Sequence, residues 1–352
     1  MTGAAAMNRL RPRCACIDIH THVVPEHFPT YAGRRAGARW PSTVPAQPCH
    51  RHVMLAGSVY RTVADTCWDM GKRRQDMDAQ RVDRHVLSPM PELLSYWLDP
   101  EDGATLARYL NERIAEMVAF EPQRFVGLGA VPLQDVGAAI AELEYLRSTL
   151  KLAGVEIGTN VDDVVLGDPR LEPFFEAAAE LGAAVLVHPL RPAGMDRLVG
   201  GPGLEQLLAF PGETGLGAAS LITSGVLLRH PRLRIAFSHG GGTLAALLPR
   251  LQHGWAVNSA LRDSMPESPT VLARRMYYDG LVYDRDALLR LVQVFGDDRV
   301  CVGSDYPFRI RERDPVGALE AAGLDDEAHE RLAFGNAARW LGLASRTGAA
   351  AA

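Results

Sequence analysis

Lysine is almost missing from this 352-residue chain: Lys72 and Lys151 are the only two, against an abundance of arginine. That scarcity removes lysine chemistry from most of the sequence. Cysteine is sparse as well. The five present (Cys14, Cys16, Cys49, Cys67, Cys301) are an odd number at unrelated spacings, which fits neither a disulfide framework nor a zinc ribbon. They are expected as small core or rim residues of a cytoplasmic protein. No apolar run approaches the roughly 20 residues needed to span a bilayer, and Met1 to Arg13 has no apolar core of the kind a secretion signal carries. No charge of one sign dominates either. A formal net charge of −5 gives no general attraction to nucleic acid or to an anionic membrane. No glycine-rich dinucleotide fingerprint follows a strand-like run, so no redox cofactor is called for.

What is present is a repeat. Apolar, β-rich runs at 14–20, 82–89, 125–131, 154–158, 183–188, 234–239, 276–283 and 299–304 alternate with amphipathic segments at 104–120, 135–150, 169–181, 213–229, 243–253 and 285–295. Runs such as Ala184-Val185-Leu186-Val187 are continuously apolar, as parallel strands covered on both faces require. Eight β-then-α units make a (β/α)8 TIM-type barrel the economical α/β fold. The expected organisation is one barrel domain over 1–352, with a long loop-like insertion at 23–73 after the first strand and flexible ends at 1–13 and 344–352. A second break, 190–212, follows the fifth strand. Both breaks would project from the mouth formed by the strands' C-terminal ends, where barrel enzymes keep their chemistry.

The same mouth collects histidines. His20 and His22 are two apart in the first run, so their side chains share a face. His188, His239 and Asp305 end the fifth, sixth and eighth runs. Imidazole and carboxylate ligate divalent transition metals, and several strands ending in such groups imply a metal at the mouth. His27, His50, His52, His85, His230, His253 and His329 lack this placement and are expected on the surface or on helices.

The motifs that carry these residues are Ile17-Asp18-Ile19-His20-Thr21-His22, Val187-His188-Pro189, Ser238-His239-Gly240-Gly241-Gly242 and Gly303-Ser304-Asp305-Tyr306-Pro307-Phe308. With Cys67-Trp68-Asp69, Ser95-Tyr96-Trp97, Arg124–Gly129 and Gly335-Asn336-Ala337, they resemble the amidohydrolase superfamily. The closer resemblance is to its decarboxylase branch, the aminocarboxymuconate-semialdehyde decarboxylase family, from about Ala15 to Leu343. The resemblance implies that His20, His22, His188 and Asp305 bind one divalent metal, most often zinc, with manganese or another divalent ion as an alternative. His239 and Asp305 would manage protons, a task suited to imidazole near neutral pH. Many members of the superfamily bridge two metals with a carbamylated lysine on strand four. Neither Lys72 nor Lys151 lies there, which favours a single metal. Glu156 is a substitute ligand in that strand, unless it points outwards or pairs with an arginine.

Two arginines bear on the substrate. Arg61 lies seven residues before Trp68 and Arg250 eleven after His239. Both spacings resemble those of the family's substrate-carboxylate arginines, and guanidinium forks suit carboxylates. The resemblance further implies a homodimer in which Arg250 reaches the neighbouring subunit's site. The family's tryptophan after strand five is missing from Leu190–Gly212, while Arg191 adds a cation there. The expected activity is a metal-dependent, non-oxidative decarboxylation of an unsaturated or aromatic carboxylic acid, either aminocarboxymuconate-semialdehyde-like or hydroxybenzoate-like. The alternatives are a metal-dependent hydrolase or hydratase of a related carboxylated lactone, amide or alkene, and a catalytically silent scaffold.

Overall fold

A computed structural model of the chain describes residues 15–33, 35 and 37–343. The ends expected to be flexible, and Cys14, lie outside the described residues. Each of the eight apolar runs forms a strand: β1 (Ile17–Val23), β2 (Arg84–Pro89), β3 (Phe125–Gly129), β4 (Gly154–Gly158), β5 (Ala184–His188), β6 (Arg234–Phe237), β7 (Tyr277–Asp279) and β8 (Val300–Cys301). They pair in sequence order, all parallel. The chain just past β8 returns to β1: the Ile19 N–H donates to the Val302 carbonyl at 2.9 Å and the His22 N–H to the Tyr306 carbonyl at 2.7 Å. The principal helices are α1 (Met70–Ala79), α2 (Pro100–Phe120), α3 (Val136–Ser148), α4 (Glu172–Glu180), α5 (Phe210–Thr223), α6 (Leu244–Val257), α7 (Arg285–Phe295) and α8 (Asn336–Leu341). The helix expected over 213–229 is interrupted, because Gly225 adopts a left-handed φ of 80° between α5 and a short turn at Val226–Arg229. Among the described helices none is long and apolar enough to cross a membrane.

Strand alternation sorts the core into two layers. Val185, Val187, Ile235 and Phe237 pack outwards against the helices, while Ala184, Leu186, Ala236, Val86 and Leu128 fill the barrel with Ile17 and Ile19. Trp340 of α8 plugs this inner cluster. His188, two residues beyond Leu186, therefore faces the lumen.

The first strand breaks that rule. Ile17 and Ile19 face inwards, so simple alternation would send His20 and His22 outwards. Asp18 pairs with His85, but Thr21 pairs with Leu87, so β1 spends one more residue than β2 over this stretch. Such a β-bulge re-aims the side chains beyond it. The bulge turns the two histidines into the lumen, and His22 then sits opposite Ser88.

The 23–73 insertion is more ordered than a loop. Ser42–Pro45, His50–Leu55 and Ser58–Ala64 form an antiparallel sheet. Its second hairpin turns on Ala56 and Gly57, both at positive φ (52° and 76°), the two-residue turn that matches strand twist. Arg61 thus lies on a strand rather than in a loop. Arg73 of α1 clamps the insertion to the barrel. Its fully buried guanidinium donates to the Thr21 hydroxyl at 3.2 Å, to the Thr66 carbonyl at 3.1 Å and to the His22 carbonyl.

Of the described cysteines, Cys16, Cys67 and Cys301 are buried as expected, whereas Cys49 is exposed; Cys49, Cys67 and Cys301 are free. His85 corrects another expectation. It is completely buried on β2, 4.0 Å from Asp18, with neither ring nitrogen hydrogen-bonded to a described residue. Burial pushes its pKa well below the ordinary value, so it packs as a neutral ring against Tyr306.

Candidate metal centre

His20, His22, His188 and Asp305 converge at the barrel mouth, with one ligand atom from each lying within 4.8 Å of all the others. All four are buried. Each imidazole has its Nδ1 occupied. That of His20 is 2.6 Å from Asp279 Oδ2, that of His22 is 3.1 Å from the Pro89 carbonyl, and that of His188 is 2.9 Å from the Pro189 carbonyl. An oxygen acceptor at Nδ1 assigns the proton there and leaves Nε2 as a lone pair. Yet His20 Nε2 lies 3.1 Å from His22 Nε2, and both face Asp305 Oδ1, at 3.6 and 3.2 Å. Acceptors gathered this closely without a donor between them repel one another unless a cation sits among them. Three imidazole nitrogens and one carboxylate oxygen suit a divalent transition metal. The residues present fit the metal that the sequence suggests.

Backbone strain marks the same place. Asp305 and His239 both adopt left-handed φ values, 64° and 54°, a conformation that costs non-glycine residues about 1–3 kcal/mol and gathers at functional sites. Asp305 is held there by its N–H donating to the His20 carbonyl at 2.8 Å. His239 is followed by three glycines at positive φ, and a Cβ on Gly242 would fall 2.0 Å from the Pro211 carbonyl oxygen. Gly242 therefore lets this turn pack against α5, while Gly240 and Gly241 make room for the Leu291 and Tyr278 side chains.

His239 stands beside the ligand cluster, its ring centroid 5.2 Å from that of His20 and 5.1 Å from that of His188. Burial, with His20 close by, pushes its pKa down to about 4, so the free imidazole is neutral at pH 7. Its Nδ1 is 3.2 Å from the Ser238 hydroxyl.

A cavity of about 320 Å³ opens over the centre and joins Arg61, Glu92, His188, His239 and Asp305 to the apolar side chains of Phe210, Leu281 and Phe308. Arg61 is steered into it by Phe308: the guanidinium carbon lies 4.3 Å from that ring's centroid, and Phe308 stacks on His22 at 5.2 Å. No described carboxylate pairs with Arg61. Arg250 is not brought to the site within one chain. It is exposed on α6, on the same helix as Leu247 and Val257, which are 47% and 70% exposed. Arg191 leans over Trp97 and pairs with Asp162 at 3.3 Å, outside the central cavity.

Glu156 points inwards but not at the centre. Its Oε2 accepts from the Ser88 hydroxyl and lies 3.5 Å from His22 Nδ1, on the far side of that ring from the ligand nitrogen. No described arginine pairs with it, and burial pushes its pKa up to about 8. It backs His22 instead of supplementing the ligand set. Sequence reasoning missed Asp279, whose Oδ1 accepts from the Gly240 and Leu281 N–H groups at 2.8 and 3.1 Å while Oδ2 orients His20. Its signal was a lone carboxylate within the seventh run, at the residue where β7 ends.

Fold and site together define a TIM-barrel protein with a built divalent-metal centre at the mouth. The amidohydrolase family model matches residues 17–343, and the chain belongs to that family, within its decarboxylase branch. A 2-amino-3-carboxymuconate-6-semialdehyde decarboxylase of Dictyostelium discoideum is 37% identical over 331 residues, covering 93% of this chain and 91% of the relative. The crystal structure of 5-carboxyvanillate decarboxylase from Sphingomonas paucimobilis matches with a TM-score of 0.75 at 26% identity, covering 94% of this chain and all of that one. The 5-carboxyvanillate decarboxylase of Novosphingobium aromaticivorans, solved with bound manganese, matches with a TM-score of 0.70 at 27% identity over 79% of this chain and 83% of its own.

Proposed function

We propose that the chain catalyses the metal-dependent, non-oxidative decarboxylation of an unsaturated or aromatic carboxylic acid, of the aminocarboxymuconate-semialdehyde or hydroxybenzoate type. The observation that carries this reading is the shared cavity: an arginine without a carboxylate partner among the described residues and a neutral histidine face the same space as the ligand cluster. A divalent ion held by His20, His22, His188 and Asp305 would supply Lewis-acid stabilisation of negative charge on substrate oxygens; zinc suits the donor set, and manganese is the ion in a structural relative. Arg61 holds a substrate carboxylate with paired N–H donors. Phe210 and Phe308 flank the carbon skeleton and exclude water. His239 takes a proton, from water or a substrate hydroxyl, and returns it to the carbon that loses CO2. The electron pair of the breaking C–C bond stays on that carbon until the proton arrives. The redox balance is neutral, so no oxidant is needed.

Homodimerisation belongs to the same reading. Arg250 and the exposed apolar residues of α6 suit a face that carries Arg250 to the neighbouring subunit's substrate, and the free Cys49, Cys67 and Cys301 thiols suit the cytoplasm. That the relatives are decarboxylases favours this chemistry over the hydrolase or hydratase alternative. The test is a panel of carboxylated aromatic and ring-opened acids offered to zinc- or manganese-loaded protein. Stoichiometric CO2 and a single organic product are expected. Two hydrolytic products, or a ring-opened acid without gas, would overturn the reading.

A further inference from the structure

The cavity holds a negative group that the reaction above does not use. After β2 the chain makes a tight turn over Pro91–Leu94, ended by Ser95 at a left-handed φ of 50°, whose hydroxyl donates to the Glu92 carbonyl at 3.1 Å. The turn sets Glu92 in the cavity wall with Arg61, His239 and Asp305. Glu92 is only 8% exposed. Its Oε1 accepts a hydrogen bond from the Tyr60 hydroxyl, while Oε2 is buried and has no hydrogen-bond partner among the described residues. No described arginine, lysine or histidine forms an ion pair with it.

A buried carboxylate oxygen lacking a donor is costly, and native structures seldom tolerate one without a reason. In the wall of a ligand cavity the reason is a donor brought by the ligand. The cavity is then electrostatically polarised: Arg61 offers donors to a carboxylate, Glu92 offers an acceptor, and apolar side chains such as Phe210 and Phe308 hold the skeleton between them. Resting on the decarboxylase reading, we propose that Glu92 determines specificity. Its Oε2 accepts a hydrogen bond from an N–H or O–H group of the substrate, so the enzyme selects amino- or hydroxyl-bearing acids. An acid lacking that donor, or carrying a methoxy group in its place, leaves Oε2 unpaired in a desolvated pocket, and sites built to pair a polar group reject such analogues strongly.

Unreactive probes separate this idea from the reaction. The sulfonates 2-hydroxybenzenesulfonate and 2-methoxybenzenesulfonate present an anion to Arg61 but cannot lose CO2. Calorimetry on metal-loaded protein should show the hydroxy probe binding about tenfold or more tighter, as a hydrogen bond to a charged group provides. In Glu92→Leu the two affinities should converge to within about twofold of each other, the hydroxy probe losing its acceptor and the methoxy probe no longer stranding one, with metal content unchanged. Glu92→Gln, which keeps the volume and a partner for Tyr60, should also narrow the gap and serves if the leucine variant misfolds. Equal affinities in the parent protein, or a preference that survives both substitutions, overturns the role of Glu92. A Glu92-dependent preference in a protein that releases no CO2 from any carboxylate overturns the decarboxylase reading instead.

Discussion

The metal centre is decided by which nitrogen of each imidazole is free, and that is decided by residues that ligate nothing. His22 and His188 are oriented by backbone carbonyls, but His20 depends on one side chain, Asp279. Asp279→Asn keeps the shape and removes the charge. The amide can also present an N–H to His20 Nδ1, which favours the wrong tautomer. Partners of this kind typically change metal affinity by 10–100-fold on mutation. A loss of about that size is expected in a competition titration against a chromogenic chelator. Unchanged affinity would mean that Asp279 serves the Gly240 turn alone. The ligands themselves were legible in sequence because each sits in a local motif at a strand end. Asp279 and Glu92 were not, because nothing near them in the chain announces their partners: Asp279 meets a histidine 259 residues away and Glu92 a tyrosine of the insertion.

At the scale of elements, the site depends on the junction between β1 and the insertion. Arg73, on α1, donates to both β1 and the Asp65–Cys67 turn and packs over the Tyr306 ring at 4.8 Å. Those bonds bracket the stretch that turns His20 and His22 into the lumen. Arg73→Met leaves the volume largely filled but strands the His22 and Thr66 carbonyls, each costing about 1–3 kcal/mol when unpaired. The expected result is a loss of roughly 2–5 kcal/mol in denaturant unfolding, together with weakened metal binding; a variant as stable as the parent would show that water replaces the guanidinium. The eight strands could be read from sequence because buried parallel strands are continuously apolar, and that signal is local. The bulge could not. Ile17-Asp18-Ile19-His20 reads as perfect alternation, and only pairing with β2 reveals the additional residue. The insertion sheet was obscured by its glycines, prolines and arginines, although Ala56-Gly57 between two β-forming runs was a hairpin signal.

At the scale of the whole molecule, one chain provides the ligands, His239 and Arg61, but leaves Arg250 in solvent on α6 among exposed apolar residues. If that helix lies at a two-fold interface, each site borrows its second arginine from its partner. Mixing two inactive variants tests this. On that proposal, an Arg250→Ala homodimer lacks the borrowed arginine at every site, and a His239→Ala homodimer lacks the proposed proton carrier at every site. In a mixed dimer, the site in the Arg250→Ala subunit keeps its own His239 and receives an intact Arg250 from its partner, whereas the other site lacks both. Random reassembly of equal amounts makes half of the dimers mixed, so about a quarter of all sites, and about a quarter of parent activity, should return. Differently tagged subunits, purified in tandem to confirm that mixed dimers formed, should show about half of parent activity per dimer. If Arg250 instead served its own subunit, no mixed dimer would contain a complete site, and activity would stay at the level of the separate variants.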